Sequence, residues 1–157
     1  MATEAKPNPI PTRYRRITPA LIVNGGKWAL EFYRDVFGAS ERMHFPGPNG
    51  TVAHAEIEIG DSVVIVEEAS PHMGTQAPPV EGPTGSPTFL NIYVADVDAT
   101  IARAVELGAT LKRPAQNQFY GDRDGFIIDP FGHGWTVASH IEDVPPAERL
   151  RRMSQLQ

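Results

Sequence analysis

Two stretches decide the fold: PALIVNGGKWALEFYRDVFGA (19–39) and LNIYVADVDATIARAVELGA (90–109). In the first, Leu21 and Val23 alternate with Ala20 and Ile22, the period of a strand, and Pro19 stands at its start, where a missing amide is tolerated. Asn24-Gly25-Gly26 breaks the strand. Trp28, Ala29, Phe32, Tyr33, Val36 and Phe37 then recur at helical spacing, and Gly38 falls where a left-handed cap ends a helix. The second stretch follows the same plan. A strand ends at Val94, Asp96 or Asp98 supplies an N-cap, Val97, Ile101, Ala104 and Val105 form an apolar stripe, and Gly108 stops the helix. Val23 matches Val94, Gly38-Ala39 matches Gly108-Ala109 and Gly60 matches Gly132, at offsets of 71, 70 and 72. A near-constant offset between elements of matching type marks an internal duplication.

Each helix is followed by three strand-like runs. They are SERMHF (40–45), VAHAEIEIG (52–60) and SVVIVE (62–67) in the first copy, and TLKRPAQ (110–116), GFIID (125–129) and GWTVASH (134–140) in the second. The predicted architecture is therefore α+β, with two tandem βαβββ modules at 17–68 and 88–142. One helix covers one face of four strands, so each sheet keeps an open face, and two such faces form an open-barrel ligand pocket. Residues 1–16 read as a flexible N-terminal arm, and 69–87 as a Pro/Gly-rich linker. In the C-terminal segment 143–157, Pro145-Pro146 opens a short basic helix.

Composition narrows the function classes. The 157 residues include 14 Gly and 15 Pro, a chain of turns and short elements, and no Cys, which removes disulfides, thiolate metal sites and cysteine nucleophiles. The net charge is −5, and the basic residues Lys6, Arg13, Arg15, Arg16, Arg149, Arg151 and Arg152 sit near the two ends. An acidic body repels phosphate backbones, so nucleic acid is not the expected partner. No apolar run reaches the ~18 residues of a membrane span, and no signal-peptide core is present, so no membrane partner and a cytoplasmic location are expected.

Strand parity gives a candidate pocket wall. Thr18, Ala20 and Ile22 face the pocket if Leu21 and Val23 pack on the helix; likewise Phe89, Asn91 and Tyr93 face in, with Thr136 and Ala138 on the last strand. Ile57 and Ile59 belong under the helix, which turns His54, Glu56 and Glu58 the other way. His54 and Glu56 project together, either as a solvated His–Glu contact or as a pocket pair. Arg123, in GDRDG (121–125), is either a clamp for an anionic ligand or part of a self-paired turn. Phe119, Tyr120 and Trp135 either stack on a planar ligand or serve the core, with parity placing Trp135 on the helix side. His72 and His133 read as surface residues, and with His44 and His140 they show no mutual metal-ligand spacing. If Glu56, Glu58 and Asp122 line the pocket, the excess acid favours a cationic ligand.

The paired stretches, closed by DPFGHGWTVASH (129–140), resemble the vicinal oxygen chelate superfamily, which includes glyoxalase I, extradiol dioxygenases, fosfomycin-modifying enzymes and bleomycin-resistance proteins. HAEIEIGDSVVIVEE (54–68), QFYGDRDGFIIDPFGH (118–133) and HIEDVPPAE (140–148) are similar to its PhnB-like branch, and the resemblance spans about residues 17–146. It implies that metal-dependent members carry His, Gln or Glu on the first and last strand of each module. The matching positions here are Thr18, Val64, Phe89 and Thr136, which are poor or impossible ligands. The expectation is a protein of the glyoxalase/bleomycin-resistance type with no metal or other cofactor that holds a small, partly planar ligand. Thr18, His54, Glu56, Phe89, Asn91, Tyr93, Arg123 and Thr136 are its expected contacts. The alternative is a metal-dependent lyase or isomerase, or a dioxygenase-type enzyme, using a divalent metal or His54 and Glu56 as an acid–base pair; a vestigial pocket in a structural protein is a third. The resemblance also implies a homodimer, with modules paired within one chain or exchanged between two.

Overall fold

The computed structural model describes residues 6–79 and 86–156. Residues 1–5 of the arm, 80–85 of the linker and Gln157 lie outside the described residues. The first module comprises β1 (Ala20–Val23), α1 (Gly26–Phe37), β2 (Ser40–Pro46), β3 (Val52–Ile59) and β4 (Ser62–Glu68). The second comprises β5 (Phe89–Tyr93), α2 (Val97–Glu106), β6 (Thr110–Asn117), β7 (Asp122–Ile128) and β8 (Gly134–His140), and α3 (Pro146–Ser154) follows. The sheets have matching orders, β1-β4-β3-β2 and β5-β8-β7-β6. In each, the first strand runs parallel to the last and the remaining pairs are antiparallel. The chain is thus α+β with two tandem βαβββ modules, and its sheets stay open rather than closing into one barrel. Among the described residues, no helix is long and apolar enough to cross a membrane.

Local chemistry sets the element ends. Gly38 takes φ 68°, and its amide and that of Ala39 bond back to the Arg34 and Tyr33 carbonyls, closing α1. The Asp96 side chain caps α2 by accepting from the Ala99 amide at 3.0 Å. Gly26 is required for a different reason, because a Cβ there would lie 2.6 Å from Cβ of Val52, so α1 enters directly against β3.

The helix-side residues of both sheets feed one core. Leu21, Val23, Ile57, Val64 and Val66 of the first module join Ile101, Ile127, Trp135 and Val137 of the second, with Phe32 and Tyr33 of α1 among them. Phe131, in the β7–β8 turn, meets Trp28, Phe32 and Tyr33, and Phe37 lies 4.7 Å from the Trp135 ring. One buried carboxylate joins the halves. Asp129 Oδ2 accepts from the Tyr33 hydroxyl at 2.7 Å and from Trp135 Nε1 at 2.9 Å, while Oδ1 accepts the Phe131 and His133 amides. Burial, reinforced by Asp129, drives the Tyr33 phenol well above its ordinary pKa.

Three expectations are corrected here. Val64 pairs with Ile57 and is buried in the helix-side core, not on the open face. The register shows why: Thr136 pairs with Asn91, and the residue that pairs with the equivalent Ala20 is Ile65, at an offset of 71 rather than 72. His133 is not a free surface residue, because its Nε2 donates to the Ile22 carbonyl at 2.8 Å and ties the β7–β8 turn to β1. Nor is the described part of the arm loose at Tyr14. The Tyr14 hydroxyl donates to Glu56 at 2.5 Å, and the Arg42 guanidinium lies 5.5 Å from the Tyr14 ring centre.

Candidate functional site

With the helix sides committed to the core, chemistry is left to the two open faces. On β5 the alternation is clean. Leu90 and Ile92 pack toward the helices, whereas Phe89 and Tyr93 are 56% and 63% exposed, and Asn91 lies between them on the same face. Register carries that face across the sheet. Asn91 stands beside Thr136 and Tyr93 beside Ala138 on β8, and these pair with Phe126 and Asp124 on β7. The result is a groove of about 560 Å³, floored by this sheet and bordered by Tyr120, Arg113 and Arg149 of α3. That volume lies within the range of small-molecule pockets.

Arg149 apart, the ionisable groups of the groove are arranged in two locked sets. Asp122 accepts from the Tyr93 hydroxyl and from His140 Nδ1, both at 2.7 Å, and His140 Nε2 donates to Asp143 at 2.8 Å. Held between two carboxylates, the Asp122 bond foremost, His140 titrates above its ordinary range. Burial alone would raise Asp122, but the bonds from His140 and Tyr93 outweigh it and hold it below the usual carboxylate range. In the second set, buried Asp124 accepts from Arg113 Nη2 at 2.6 Å, from Gln118 Nε2 at 3.0 Å and from the Tyr120 hydroxyl. Burial, together with Asp124, pushes the Tyr120 phenol up to about 12. These sets make a rigid polar floor in which the acids and bases already have partners.

The first sheet offers a smaller cluster. His54 Nδ1 donates to Glu67 at 2.7 Å, its Nε2 lies 3.5 Å from Glu56, and the other contact of Glu56 is Tyr14. The Glu67 bond raises the His54 pKa, and the Tyr14 bond lowers that of Glu56. His54 and Glu56 thus do share a face, but Tyr14 covers Glu56, which is 4% exposed.

Of the residues selected from sequence, Phe89, Asn91, Tyr93 and Thr136 come together in the second-module groove. Thr18 precedes β1, and its hydroxyl donates to the Arg15 carbonyl. Arg123 is corrected outright. It points to the helix side, where Nε and Nη2 each donate to Asp98 of α2 at 2.8 Å and Nη1 donates to Asn117. The cause is that β7 begins at Asp122, so residues 122–125 are strand rather than turn and parity sends Arg123 away from the groove. Asp124, Arg113, His140 and Arg149 are absent from the expected contacts, and Asp122 and Tyr120 enter the sequence reading only as a conditional and an alternative pocket residue; all six line the groove. The alternation Asp122, Asp124, Phe126 carried the signal for β7, whereas only tertiary structure brings Arg149 of α3 to the groove.

A metal centre of the kind found in the superfamily does not fit these residues. With the corrected register its four positions are Thr18, Ile65, Phe89 and Thr136, and neither Ile65 nor Phe89 offers a donor atom. Among the described residues, no group of three or more His, Asp or Glu side chains is placed to hold a metal ion.

Comparison with known proteins agrees with the fold. The family model described as Glyoxalase/Bleomycin resistance protein/Dioxygenase superfamily matches residues 16–137. The uncharacterized protein Mb0911c of Mycobacterium bovis is 34% identical over 139 residues, covering 88% of this chain and 91% of its own. Among solved structures, the At5g48480 gene product of Arabidopsis thaliana is 25% identical with a TM-score of 0.58, over 80% of this chain and 98% of its own. The PhnB protein of Bacillus cereus is 17% identical with a TM-score of 0.62, over 80% of this chain and 99% of its own.

Proposed function

The chain belongs to the Glyoxalase/Bleomycin resistance protein/Dioxygenase superfamily, and from that premise we propose that it is a small-molecule binding protein whose ligand lies in the second-module groove. One observation carries this reading. Exposed aromatic rings, Phe89 and Tyr93, stand over a polar floor whose acids and bases are already satisfied by one another. Such a surface binds by stacking and shape. It supports catalysis poorly, because a general base must be free to take a proton and Asp122, Asp124 and His140 are each committed to partners. The metal-dependent lyase, isomerase or dioxygenase reading lacks ligands at the superfamily positions, and a His54–Glu56 acid–base pair is obstructed by Tyr14.

A homodimer is part of the same proposal. Among the described residues the outer edges of β1 and β5 have no strand partner, and unpaired edges favour association. Light scattering that gives a monomer mass across a wide concentration range would remove the dimer from the proposal. For binding, the test is native mass spectrometry of untagged protein together with a thermal-shift screen of small aromatic compounds. Phe89→Ala and Tyr93→Ala are expected to abolish the shifts of every hit while the circular dichroism spectrum stays unchanged. Hits that ignore both substitutions would place binding elsewhere and defeat the reading.

A further inference from the structure

The sign of charge that the groove accepts follows from which of its polar atoms are still free; this step rests on the binding reading above. Composition suggested a cationic ligand, but the carboxylates of the groove are already used. Both oxygens of Asp122 and both oxygens of Asp124 accept hydrogen bonds from neighbouring side chains. Their charge is opposed by His140 and Arg113, at 2.7 and 2.6 Å. An incoming cation would have to displace a short, charge-assisted bond to reach either one.

The groove groups without an intramolecular partner are of the opposite kind. Among the described residues, the Thr136 hydroxyl and the Asn91 side-chain amide, both lining the groove, make no side-chain hydrogen bond, although each can donate. Among the described residues Arg149 uses only Nε, which donates to the Val144 carbonyl at 2.9 Å. That bond fixes the root of the guanidinium and leaves both Nη atoms available. The adjacent Glu148 does not neutralise it, because its oxygens are taken by Arg151 and Arg152 at 2.6 to 2.8 Å. A guanidinium with two free Nη atoms matches a carboxylate, which it holds in paired hydrogen bonds.

We propose that the groove selects flat aromatic carboxylates, with the ring against Phe89 and Tyr93 and the carboxylate on Arg149, supported by Thr136 and Asn91. The guanidinium sets the charge preference and the two aromatic side chains set the preference for a planar body. A ligand of the same shape with an amine in place of the acid meets Arg149 as a like charge.

The test is calorimetric titration with three probes that share one ring system: 2-naphthoate, 2-naphthylmethanol and 2-naphthylmethylamine. The expected order is naphthoate tightest, the alcohol weaker and the amine undetectable. Arg149→Gln is expected to weaken naphthoate about tenfold or more while leaving the alcohol unchanged, the effect of removing a hydrogen bond to a charged group. Arg149→Lys, which keeps the charge without the planar pair of donors, is expected to fall between. Phe89→Ala is expected to weaken naphthoate and the alcohol alike, and unchanged melting temperatures show that the variants are folded. Amine binding as tight as naphthoate, or naphthoate binding indifferent to Arg149→Gln, would overturn the carboxylate assignment while leaving a binding groove. Failure of all three probes to bind, or binding indifferent to Phe89→Ala, would overturn both.

Discussion

Replacing Asp129 by Asn changes one atom in a buried hub. The carboxylate is 2% exposed and accepts from four donors, two on each oxygen. An amide retains a single oxygen and can serve only one pair. If that oxygen keeps the Phe131 and His133 amides, the new NH₂ faces Tyr33 and Trp135. Tyr33 can rotate its hydroxyl to accept, but indole nitrogen is donor only, so Trp135 Nε1 is left buried and unpaired. If the amide is flipped, two backbone amides are orphaned instead. An unsatisfied buried donor costs about 1–3 kcal/mol, and loss of charge-assisted bonding from Tyr33 adds to it, so Asp129→Asn is expected to cost about 3 kcal/mol. In a chain of this size that lowers the melting temperature by about 6–12 °C. Urea unfolding followed by tryptophan fluorescence measures the cost directly. A pairwise signature accompanies this cost: in a Trp135→Phe background the orphaned donor is gone, so Asp129→Asn should cost at least about 1 kcal/mol less than in the native chain. A loss within about 0.5 kcal/mol of zero, or an undiminished cost in that background, would refute the donor-counting account.

Three further outcomes follow from other contacts. Tyr14→Phe removes the bond that holds the arm to Glu56, so limited trypsinolysis at Arg13, Arg15 and Arg16 is expected to accelerate several-fold; an unchanged rate would mean that the arm is held by something else. His54 has a folded-state pKa raised first of all by Glu67, so its contribution to stability is present below the unfolded value of about 6.5 and fades as pH rises through the folded value. The stability difference between the native chain and His54→Gln should accordingly shrink from pH 6 to pH 9, and a difference that is flat across this range would contradict the pairing. Gly121 adopts φ +103°, and a Cβ there would lie 2.1 Å from the Glu142 carbonyl oxygen. Gly121→Ala therefore combines strain with overlap against backbone and is expected to cost about 2 kcal/mol or more by thermal denaturation.

How much of this was legible in the sequence depended on the kind of signal. The duplicated plan rests on local cues, helical periodicity, a capping Gly38 and alternation on β5, and each of these appears where the residues placed it. Strand parity put Phe89, Asn91 and Tyr93 on one face because the period of two leaves little freedom once Leu90 and Ile92 are buried. The errors arose where parity had to be carried across a turn. The β3–β4 turn separates Ile59 from Ser62, whereas the β7–β8 turn separates Ile128 from Gly134, so one offset does not serve both strands and an offset of 72 puts Val64 where Ile65 stands. Glycines on both sides of Asp122-Arg123-Asp124 suggested a turn, but Gly125 sits inside β7, where its missing Cβ makes room for Ile101 of α2. Arg149 and Tyr14 reach the open faces from segments outside the repeats, and no periodicity in those segments says where they dock.

The duplicated architecture invites the idea that each copy holds its own ligand, and the register argues otherwise. Overlaying the modules through their paired strands sets Glu67 against Ala138, His54 against Asp124 and Glu56 against Phe126. The first copy has a bulky charged side chain where the second has a methyl group, and it is further closed by a tyrosine. On one plan the two faces thus differ, the first covered by Tyr14 and the second left as an open groove. A titration should therefore saturate at one molecule per polypeptide, a stoichiometry that the symmetry of the fold alone would have set at two.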